Sequence, residues 1–336
     1  MREQDLTRRS VLHGAAVLGA ATLLVRQHNT PTVGEAEGSV PWKPGTVGKT
    51  APGSGTGGQG GGATASGLLG LVGATVSNVA MGTRTWTEAA HKFDARVRRP
   101  MAATATRVYL KQAAIAPGEM YLMRMMAATG VTAIMSIRPS PTLRRSEITK
   151  MQSTIHQCRE AGLKIEAVSL WHEPNDITRS DQAFRTARQY VDYVRYYGPA
   201  VVEMGIPLCY IPLVLTTDGA LQDSYFPGTT WRGRELVTHI YPDFYCVSQY
   251  IHGARMDASV ALADKYGLRL GIGEFGRTNC SHSPTNRQFA DYIRYLRGIY
   301  AGRKGRASCM YWSDGPLNNP NPTTCTELGS FYDALT

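Results

Sequence analysis

From residue 68 onward the sequence alternates between short apolar segments and longer segments with helical spacing. Strands that are buried on both faces of a parallel sheet read as continuous runs of branched and aromatic residues. Eight segments have this character: 68–76, 105–110, 131–137, 164–171, 208–215, 244–250, 268–275 and 308–313. Because each precedes a candidate helix, the pattern predicts an α/β fold, a single (β/α)8 TIM barrel.

An open, doubly wound sheet is the alternative that this alternation allows. That fold usually carries a G-x-G-x-x-G phosphate loop after its first strand. The corresponding segment here, GLVGATVSNVAMG (70–82), does not match the motif. The barrel is therefore favoured.

The residues before this region have a different composition. Residues 1–29 contain Arg8 and Arg9 ahead of an apolar run from Val11 to Val25, which is the layout of a twin-arginine-type signal segment. Residues 30–66 are rich in Gly, Pro, Ser and Thr and predict a disordered linker. Residues 67–336 remain as one large domain. The chain is thus predicted to be secreted or extracellular, with no membrane span unless the signal stays uncleaved.

Charge and cysteine usage exclude several other classes. The formal net charge is +10, but the basic residues are scattered and form no block with interleaved aromatics, which argues against nucleic-acid binding. The six cysteines include no CxxC pair and no Cys/His spacing suited to zinc. Cys280 and Cys325 lie in polar segments, and oxidation after export predicts a disulfide between them.

Two glutamates end predicted strands. Glu173 closes the fourth strand in VSLWHEPND (168–176), and Glu274 closes the seventh in GIGEFG (271–276), where the glycines leave room around it. Active sites of such barrels lie at the carboxyl ends of the strands. Strands four and seven are three apart in a ring of eight, so these carboxyl groups should face each other across the mouth.

A carboxyl pair across a cleft is what glycosidic cleavage requires. One group protonates the leaving oxygen, and the other attacks the anomeric carbon or activates water. The alternative is that Glu274 forms only a structural salt bridge with Arg107 or Arg277, and that Glu173 merely ends its strand.

The motifs WHEPN (171–175) and GEFG (273–276), in this order, resemble the retaining glycoside hydrolases of clan A, barrels with both catalytic glutamates on strands four and seven. The resemblance implies Glu173 as acid/base and Glu274 as nucleophile. It also implies Arg107 as the arginine beside the nucleophile, Tyr250 as the tyrosine bonded to it, and Trp312 as the aromatic platform under the sugar.

One position departs from the usual clan pattern. The residue before the acid/base is commonly Asn, whereas this chain has His172, as do some members that cleave mannan and mixed glucan. A neutral imidazole can donate to a sugar hydroxyl or orient Glu173. Trp171, Asn175 and Trp231 are further predicted substrate contacts, Trp231 because it lies on a long segment after strand five. His239 is predicted to lie on a helix.

The sequence therefore predicts a monomeric glycosidase that hydrolyses a β-linked oligo- or polysaccharide with retention and needs no metal or other cofactor. Two other functions stay open. A barrel tethered to the cell envelope could bind carbohydrate without cleaving it. A metal-dependent hydrolase on the same fold would need a His-x-His pair on strand one, which this sequence lacks.

Overall fold

The computed structural model describes residues 71–78, 81–214, 219–245, 252–276 and 306–313. The signal segment, the linker, Tyr250, Cys280 and Cys325 lie outside these ranges. Among the described residues no helix has both the length and the apolar character required to cross a bilayer.

Strands and helices alternate along the described part of the chain. The strands are β1 (Val72–Val76), β2 (Ala105–Leu110), β3 (Thr132–Ile137), β4 (Lys164–Leu170), β5 (Leu208–Tyr210), β6 (Thr230–Trp231), β7 (Arg234–Glu235), β8 (Val237–Ile240), β9 (Asp243–Tyr245), β10 (Arg269–Gly276) and β11 (Arg306–Ser313). The helices are α1 (Trp86–Val97), α2 (Pro117–Ala128), α3 (Arg145–Glu160), α4 (Ala187–Val202), α5 (Gly219–Ser224) and α6 (His252–Tyr266).

The main sheet is parallel and curled. Its strands follow the order β1-β11-β10-β8-β5-β4-β3-β2, and β9 adds to β10. The two ends of this order meet, because the Thr106 hydroxyl of β2 donates to Ala74 O of β1 at 3.0 Å. Gly73 permits that approach, since a Cβ there would lie 2.6 Å from the Ala105 carbonyl carbon. The predicted α/β class is confirmed, and the ring of strands is consistent with the predicted barrel.

Two helices begin at capping boxes that the sequence encodes. Thr85 accepts from Glu88 N at the start of α1, and Thr186 accepts from Gln189 N at the start of α4. In both cases the Glu or Gln side chain returns a bond to the cap backbone. This reciprocal bonding satisfies backbone donors that a helix start otherwise leaves free.

The sheet separates two apolar layers. The larger cluster packs the strands against the helices. A small second cluster contains Ala105, Ile134, Ala167, Cys209, Ile211 and Tyr241. Successive strand residues point to opposite faces. The residues that alternate with those of the larger cluster therefore lie on the inner face, away from the helices. Two residues further along β2 and β3, Arg107 and Ser136 lie on the same inner face, next to the carboxyl ends of the strands.

The fifth and sixth strands differ from the prediction at two prolines. The regular part of β5 ends at Tyr210, ahead of Pro212, which has no N–H to donate to a ladder. The sixth strand of the ring is made of two pieces, β8 and β9, which are separated at Pro242. It therefore begins before residue 244, where the prediction placed its start. The prediction that His239 lies on a helix was wrong, because His239 is inside β8.

Candidate active site

The segment after β4 leaves regular strand geometry at two residues. Trp171 (φ 69°) and Glu173 (φ 52°) both have left-handed backbone conformations. Such a conformation costs about 1–3 kcal/mol for a residue with a side chain, and outliers of this kind cluster at functional sites. Backbone bonds hold the turn, from Trp171 N to Ile137 O at 3.3 Å and from Glu173 N to Ile211 O at 3.0 Å.

Glu173 is buried at the end of this turn, with 6% of its surface exposed. Arg179 Nη1 donates a 2.6 Å hydrogen bond to Glu173 Oε2. The same guanidinium binds Asp181 through Nε at 3.0 Å and Nη2 at 3.1 Å. Burial raises the pKa of Glu173 above its ordinary value, and Arg179 opposes that effect. The proton affinity of Glu173 therefore depends on whether Arg179 stays in contact.

Glu274 lies in β10 and is 1% exposed. Arg107 of β2 reaches it across the inner face of the sheet, with 3.6 Å between Arg107 Nε and Glu274 Oε1. Ser136 holds the other end of the guanidinium by accepting from Arg107 Nη2 at 2.8 Å. A buried charge is tolerated when it is paired and hydrogen-bonded, so Arg107 compensates a carboxylate at Glu274.

His172 separates the two glutamates. Its Nδ1 lies 3.8 Å from Glu173 Oε2, and its Nε2 lies 3.7 Å from Glu274 Oε1. The same Nε2 is hydrogen-bonded to Asp243 Oδ2. Tyr109 meets the imidazole edge-on, with ring centroids 5.3 Å apart. Burial, followed by nearby guanidinium charge, places the pKa of His172 well below its usual value, so the ring is neutral near pH 7.

Asp243 opens β9 and is completely buried. Burial raises the pKa of its carboxyl group well above the ordinary value. Space for this side chain comes from Gly273 of β10, because a Cβ at Gly273 would overlap Asp243 Oδ1 and lie 2.6 Å from Tyr241 O. The room that Gly273 was expected to leave around Glu274 is therefore filled, at least in part, by Asp243.

Three of these residues offer ligand atoms that a divalent cation could use. Within the described ranges, one oxygen or nitrogen from each of His172, Asp243 and Glu274 lies within 4.8 Å of the others. However, His172 Nε2 is already bonded to Asp243, and Arg107 places a positive charge 3.6 Å from Glu274. A second cation at this place would be repelled by the guanidinium. The donor set thus fits a metal poorly.

Comparison with known proteins gives a fold match and no sequence match. No protein-family model matches the chain, and no curated protein matches it. A glycoside hydrolase family 30 subfamily 8 xylanase from Clostridium acetobutylicum matches with a TM-score of 0.51 and 15% identity, over 79% of this chain and 71% of the xylanase. A glucosidase from Croceicoccus marinus matches with a TM-score of 0.56 and 12% identity, over 80% of this chain and 68% of the glucosidase.

The fold is that of these glycoside hydrolases. The resemblance to clan A barrels therefore has a structural counterpart, and the individual family stays unassigned. At these identities the match concerns the fold alone. The roles of individual side chains depend on the geometry of this chain.

The structure brings four of the predicted site residues together: Arg107, His172, Glu173 and Glu274. Trp312, predicted as a sugar platform, lies in β11, where it pairs with Thr75 of β1.

Trp171 and Asn175, by contrast, contact protein. Trp171 makes T-shaped ring contacts with Phe184 (centroids 4.9 Å apart) and with Tyr193 (6.1 Å) in the layer between sheet and helices. Because the backbone of Trp171 is left-handed, its side chain lies on the helix side of the sheet, whereas alternation along β4 would place it on the inner face. Asn175 exchanges two bonds with the backbone of Leu213, at 2.7 and 2.8 Å, and so ties the ends of β4 and β5 together. These are contacts within the protein, and the role of Trp171 and Asn175 in substrate binding stays a prediction.

Trp231 lies apart from this group. It belongs to the β6–β7 hairpin, which leads into the amino end of β8, whereas the glutamates lie at carboxyl ends of strands. The guanidinium carbons of Arg195 and Arg232 lie 4.8 and 5.5 Å from the Trp231 ring centre. Trp231 lines a surface cleft of about 600 Å³ with residues of α4. Trp231 is thus separated from the two glutamates, and its role as a sugar platform stays a prediction.

Sequence reasoning missed two residues of the site, Asp243 and Arg179. Asp243 lies one residue before the predicted sixth strand (244–250), at the amino end of that segment, where the rule for barrel sites expects no catalytic group. Arg179 lies between β4 and α4, where an arginine followed by Asp181 suggests an exposed ion pair. The available signal was position, since both follow closely on strands that carry chemistry at their carboxyl ends.

Proposed function

We propose that this chain is a glycoside hydrolase that cleaves β-glycosidic bonds in an oligo- or polysaccharide with retention of configuration. One observation carries the proposal. Glu173 and Glu274 are buried carboxyl groups at the carboxyl ends of β4 and β10, which are three places apart in the ring, and both lie within 4 Å of His172. The fold shared with a xylanase and a glucosidase supports the same class.

The two environments suit different roles. Arg107 compensates the charge of Glu274, so Glu274 is the nucleophile that bonds to the anomeric carbon. Burial raises the pKa of Glu173, so Glu173 gives its proton to the departing oxygen as the glycosidic bond breaks. Glu173 then takes a proton from water, whose oxygen displaces Glu274 and frees the enzyme. Arg107 keeps Glu274 ionised for the attack, and the proposal includes no metal or organic cofactor.

Arg179 places a condition on this cycle. It occupies Glu173 Oε2, the oxygen that also faces His172. A carboxyl group that donates to a sugar oxygen must carry a proton, and a guanidinium favours the ionised form. Substrate binding is therefore expected to lengthen or break the contact between Arg179 and Glu173. Without such movement the same site would bind sugar and turn it over slowly.

That contact is the observation that favours a second function, a carbohydrate-binding barrel without turnover. Glu173 would then remain ionised beside Arg179. Binding of polysaccharide in affinity electrophoresis, with no reducing sugar released by the same preparation, would support this second function over the first.

The cellular setting is part of the proposal. The twin-arginine-type segment (1–29) and the Gly-rich linker (30–66) would export the domain and space it from the membrane or from a signal-processing site. Its partner would be an extracellular carbohydrate, and it would act as a monomer. Fractionation of cells that express the full chain, with and without an Arg8→Lys/Arg9→Lys change, tests the export route.

The activity test uses aryl β-glycosides and the polysaccharides xylan, mannan and β-glucan, with and without EDTA. Glu274→Gln is expected to lose at least about 100-fold in kcat on every cleaved substrate. Glu173→Gln should lose activity on polysaccharides but far less on aryl glycosides with acidic leaving groups, which need no protonation. Glu160→Gln, an exposed carboxyl on α3, is the matched control.

Three results would contradict the proposal. Turnover by Glu274→Gln at the wild-type rate would exclude the nucleophile. Loss of activity in EDTA would exclude metal independence. A first-formed product with inverted anomeric configuration, followed by proton NMR, would exclude retention.

A further inference from the structure

Asp243 has no place in the cycle described above, yet it contacts the centre of the site. It is hydrogen-bonded to His172 Nε2, it is completely buried, and Gly273 provides the space that it fills. We propose that Asp243 is a positioning residue whose carboxyl group donates to His172 Nε2 and so fixes the imidazole with its Nδ1–H directed at Glu173. The proposal rests on the function proposed for Glu173.

Charge balance favours a neutral Asp243. Asp243, Glu173 and Glu274 are all buried, but among the described residues only the two glutamates have a guanidinium at ion-pair distance. Arg107 pairs with Glu274, and Arg179 pairs with Glu173. Among the described residues Asp243 has an ion-pair contact with His172 only. An ionised Asp243 would bury a charge that has no guanidinium at ion-pair distance, which costs several kcal/mol whether or not Glu173 is ionised, so the proton stays on Asp243.

A neutral Asp243 determines which nitrogen of His172 carries hydrogen. The carboxyl O–H donates to Nε2, so Nε2 must be an unprotonated acceptor. In a neutral imidazole the remaining hydrogen is then on Nδ1. That nitrogen lies 3.8 Å from Glu173 Oε2. The bond between Asp243 and Nε2 thus determines that the hydrogen of the neutral ring is on Nδ1.

This arrangement helps Glu173 in one protonation state more than in the other. After Glu173 has given its proton to the leaving oxygen, its carboxylate faces the Nδ1–H dipole and is stabilised by it. Before that step, Nδ1–H offers little to the neutral acid. An interaction that strengthens as the carboxylate forms lowers the barrier rather than only tightening binding. Tyr109, edge-on to the imidazole, keeps the ring from turning away.

The tautomer can be read without any substrate. In the full chain labelled with ¹⁵N-histidine, the His172 signals are those that vanish in His172→Gln. At pH 7 we expect a directly bonded proton on Nδ1 and none on Nε2. Asp243→Asn offers an amide N–H to Nε2 and should keep this pattern, whereas Asp243→Ala should lose it. Asp192→Asn, an exposed carboxyl on α4, should change nothing.

Kinetics on the best-cleaved aryl β-glycoside give the second readout. Asp243→Ala should lower kcat by about 100-fold, the effect of misplacing a group that must be aligned, while its KM stays within about threefold of the wild-type value. The kcat of Asp243→Asn should be at least about tenfold higher than that of Asp243→Ala. A wild-type proton on Nε2 overturns the proposal even if Asp243→Ala fails to fold. So does an unchanged tautomer and kcat in a folded Asp243→Ala. If instead Glu274→Gln keeps full turnover, the hydrolase function fails while the tautomer result stands.

Discussion

Arg179 Nη1 donates a 2.6 Å hydrogen bond to Glu173 Oε2. The residue proposed as the acid is therefore in contact with a cation that stabilises its ionised form. The guanidinium is itself anchored on Asp181 and is partly open to solvent. The contact joins the strained turn after β4 to the segment that leads into α4. It makes the proton affinity of Glu173 sensitive to movement of that segment.

Removing this cation should move the pH profile of hydrolysis. An adjacent arginine lowers the pKa of a carboxyl group by about 1–3 units, so Arg179→Met is expected to raise the pKa of Glu173. Glu173 must be protonated for the first step, and this form is lost as pH rises through its pKa. The basic limb of kcat/KM on an aryl β-glycoside should therefore shift upward by about 1–3 pH units.

Arg188→Met provides the control, because Arg188 is exposed on α4 and far more weakly paired. Its pH profile should overlay that of the wild type. A basic limb at the same pH in Arg179→Met and in wild type would show that Arg179 does not set the proton affinity of Glu173 in the free enzyme.

The buried pair of Arg107 and Glu274 gives a prediction about stability. Removing one partner of a buried pair leaves an uncompensated charge and costs about 3–5 kcal/mol. Arg107→Met should therefore lower the free energy of unfolding in urea by about that amount. The double variant Arg107→Met/Glu274→Gln removes both charges and should be more stable than Arg107→Met alone, by at least about 1 kcal/mol.

An exposed pair serves as the reference for this cycle. Arg234 and Glu203 form an ion pair with both side chains more than half exposed, and Arg234→Met should cost less than about 1 kcal/mol. Equal losses for Arg107→Met and Arg234→Met would mean that Arg107 does not compensate a buried charge.

Much of this architecture could be predicted from the sequence. Apolar runs of strand length between amphipathic segments determine an α/β fold, because the two periodicities leave each element only one way to bury its apolar side. The positions of Glu173, Glu274 and Arg107 in their strands then predict that they lie together. This prediction needs only local sequence patterns and the general rule that sites in parallel barrels lie at the carboxyl ends of the strands.

The remainder depends on backbone detail and tertiary contacts. Simple alternation would turn Trp171 toward the inner face, but its left-handed conformation turns it toward Phe184, and no residue nearby is a glycine that would signal such a turn. Trp231 lies where its hairpin packs on α4, which a loop sequence does not specify. Aspartate is seldom fully buried, and the burial of Asp243 depends on the space beside Gly273 of a different strand, which the local sequence does not show.

Buried His239 should make the fold sensitive to acid. Burial, with a smaller contribution from Arg269, lowers the pKa of His239 from 6.5 to about 4. Between these values the unfolded chain binds a proton that the folded chain does not, so stability falls as pH falls from about 6.5 to about 4. At about 1.4 kcal/mol per unit the effect reaches at most about 3.5 kcal/mol.

The measurement is the free energy of urea unfolding at several pH values across this window. His239→Gln cannot gain the proton, so its stability should fall less steeply with acidity than that of the wild type. His156→Gln, at an exposed position on α3, should keep the wild-type slope. Parallel curves for the wild type and His239→Gln would contradict an uncharged, buried His239.

Gly273 should be the least replaceable small residue of the site. A Cβ at this position would overlap Asp243 Oδ1 and lie 2.6 Å from Tyr241 O and 3.1 Å from Ile211 Cγ2. The carbonyl belongs to the backbone and cannot rotate away, so Gly273→Ala should destabilise the protein by about 3 kcal/mol or more, at the upper end of overpacking effects.

Gly118→Ala is the matched control, since a Cβ there meets nothing within 4 Å. The greater helix propensity of Ala should make this variant neutral or stabilising by up to about 1 kcal/mol. Urea unfolding gives both values, and ¹⁵N-histidine spectra of the folded fraction of Gly273→Ala should show His172 displaced with Asp243. A Gly273→Ala protein as stable as Gly118→Ala, with His172 signals unchanged, would mean that Asp243 does not need the space that Gly273 leaves.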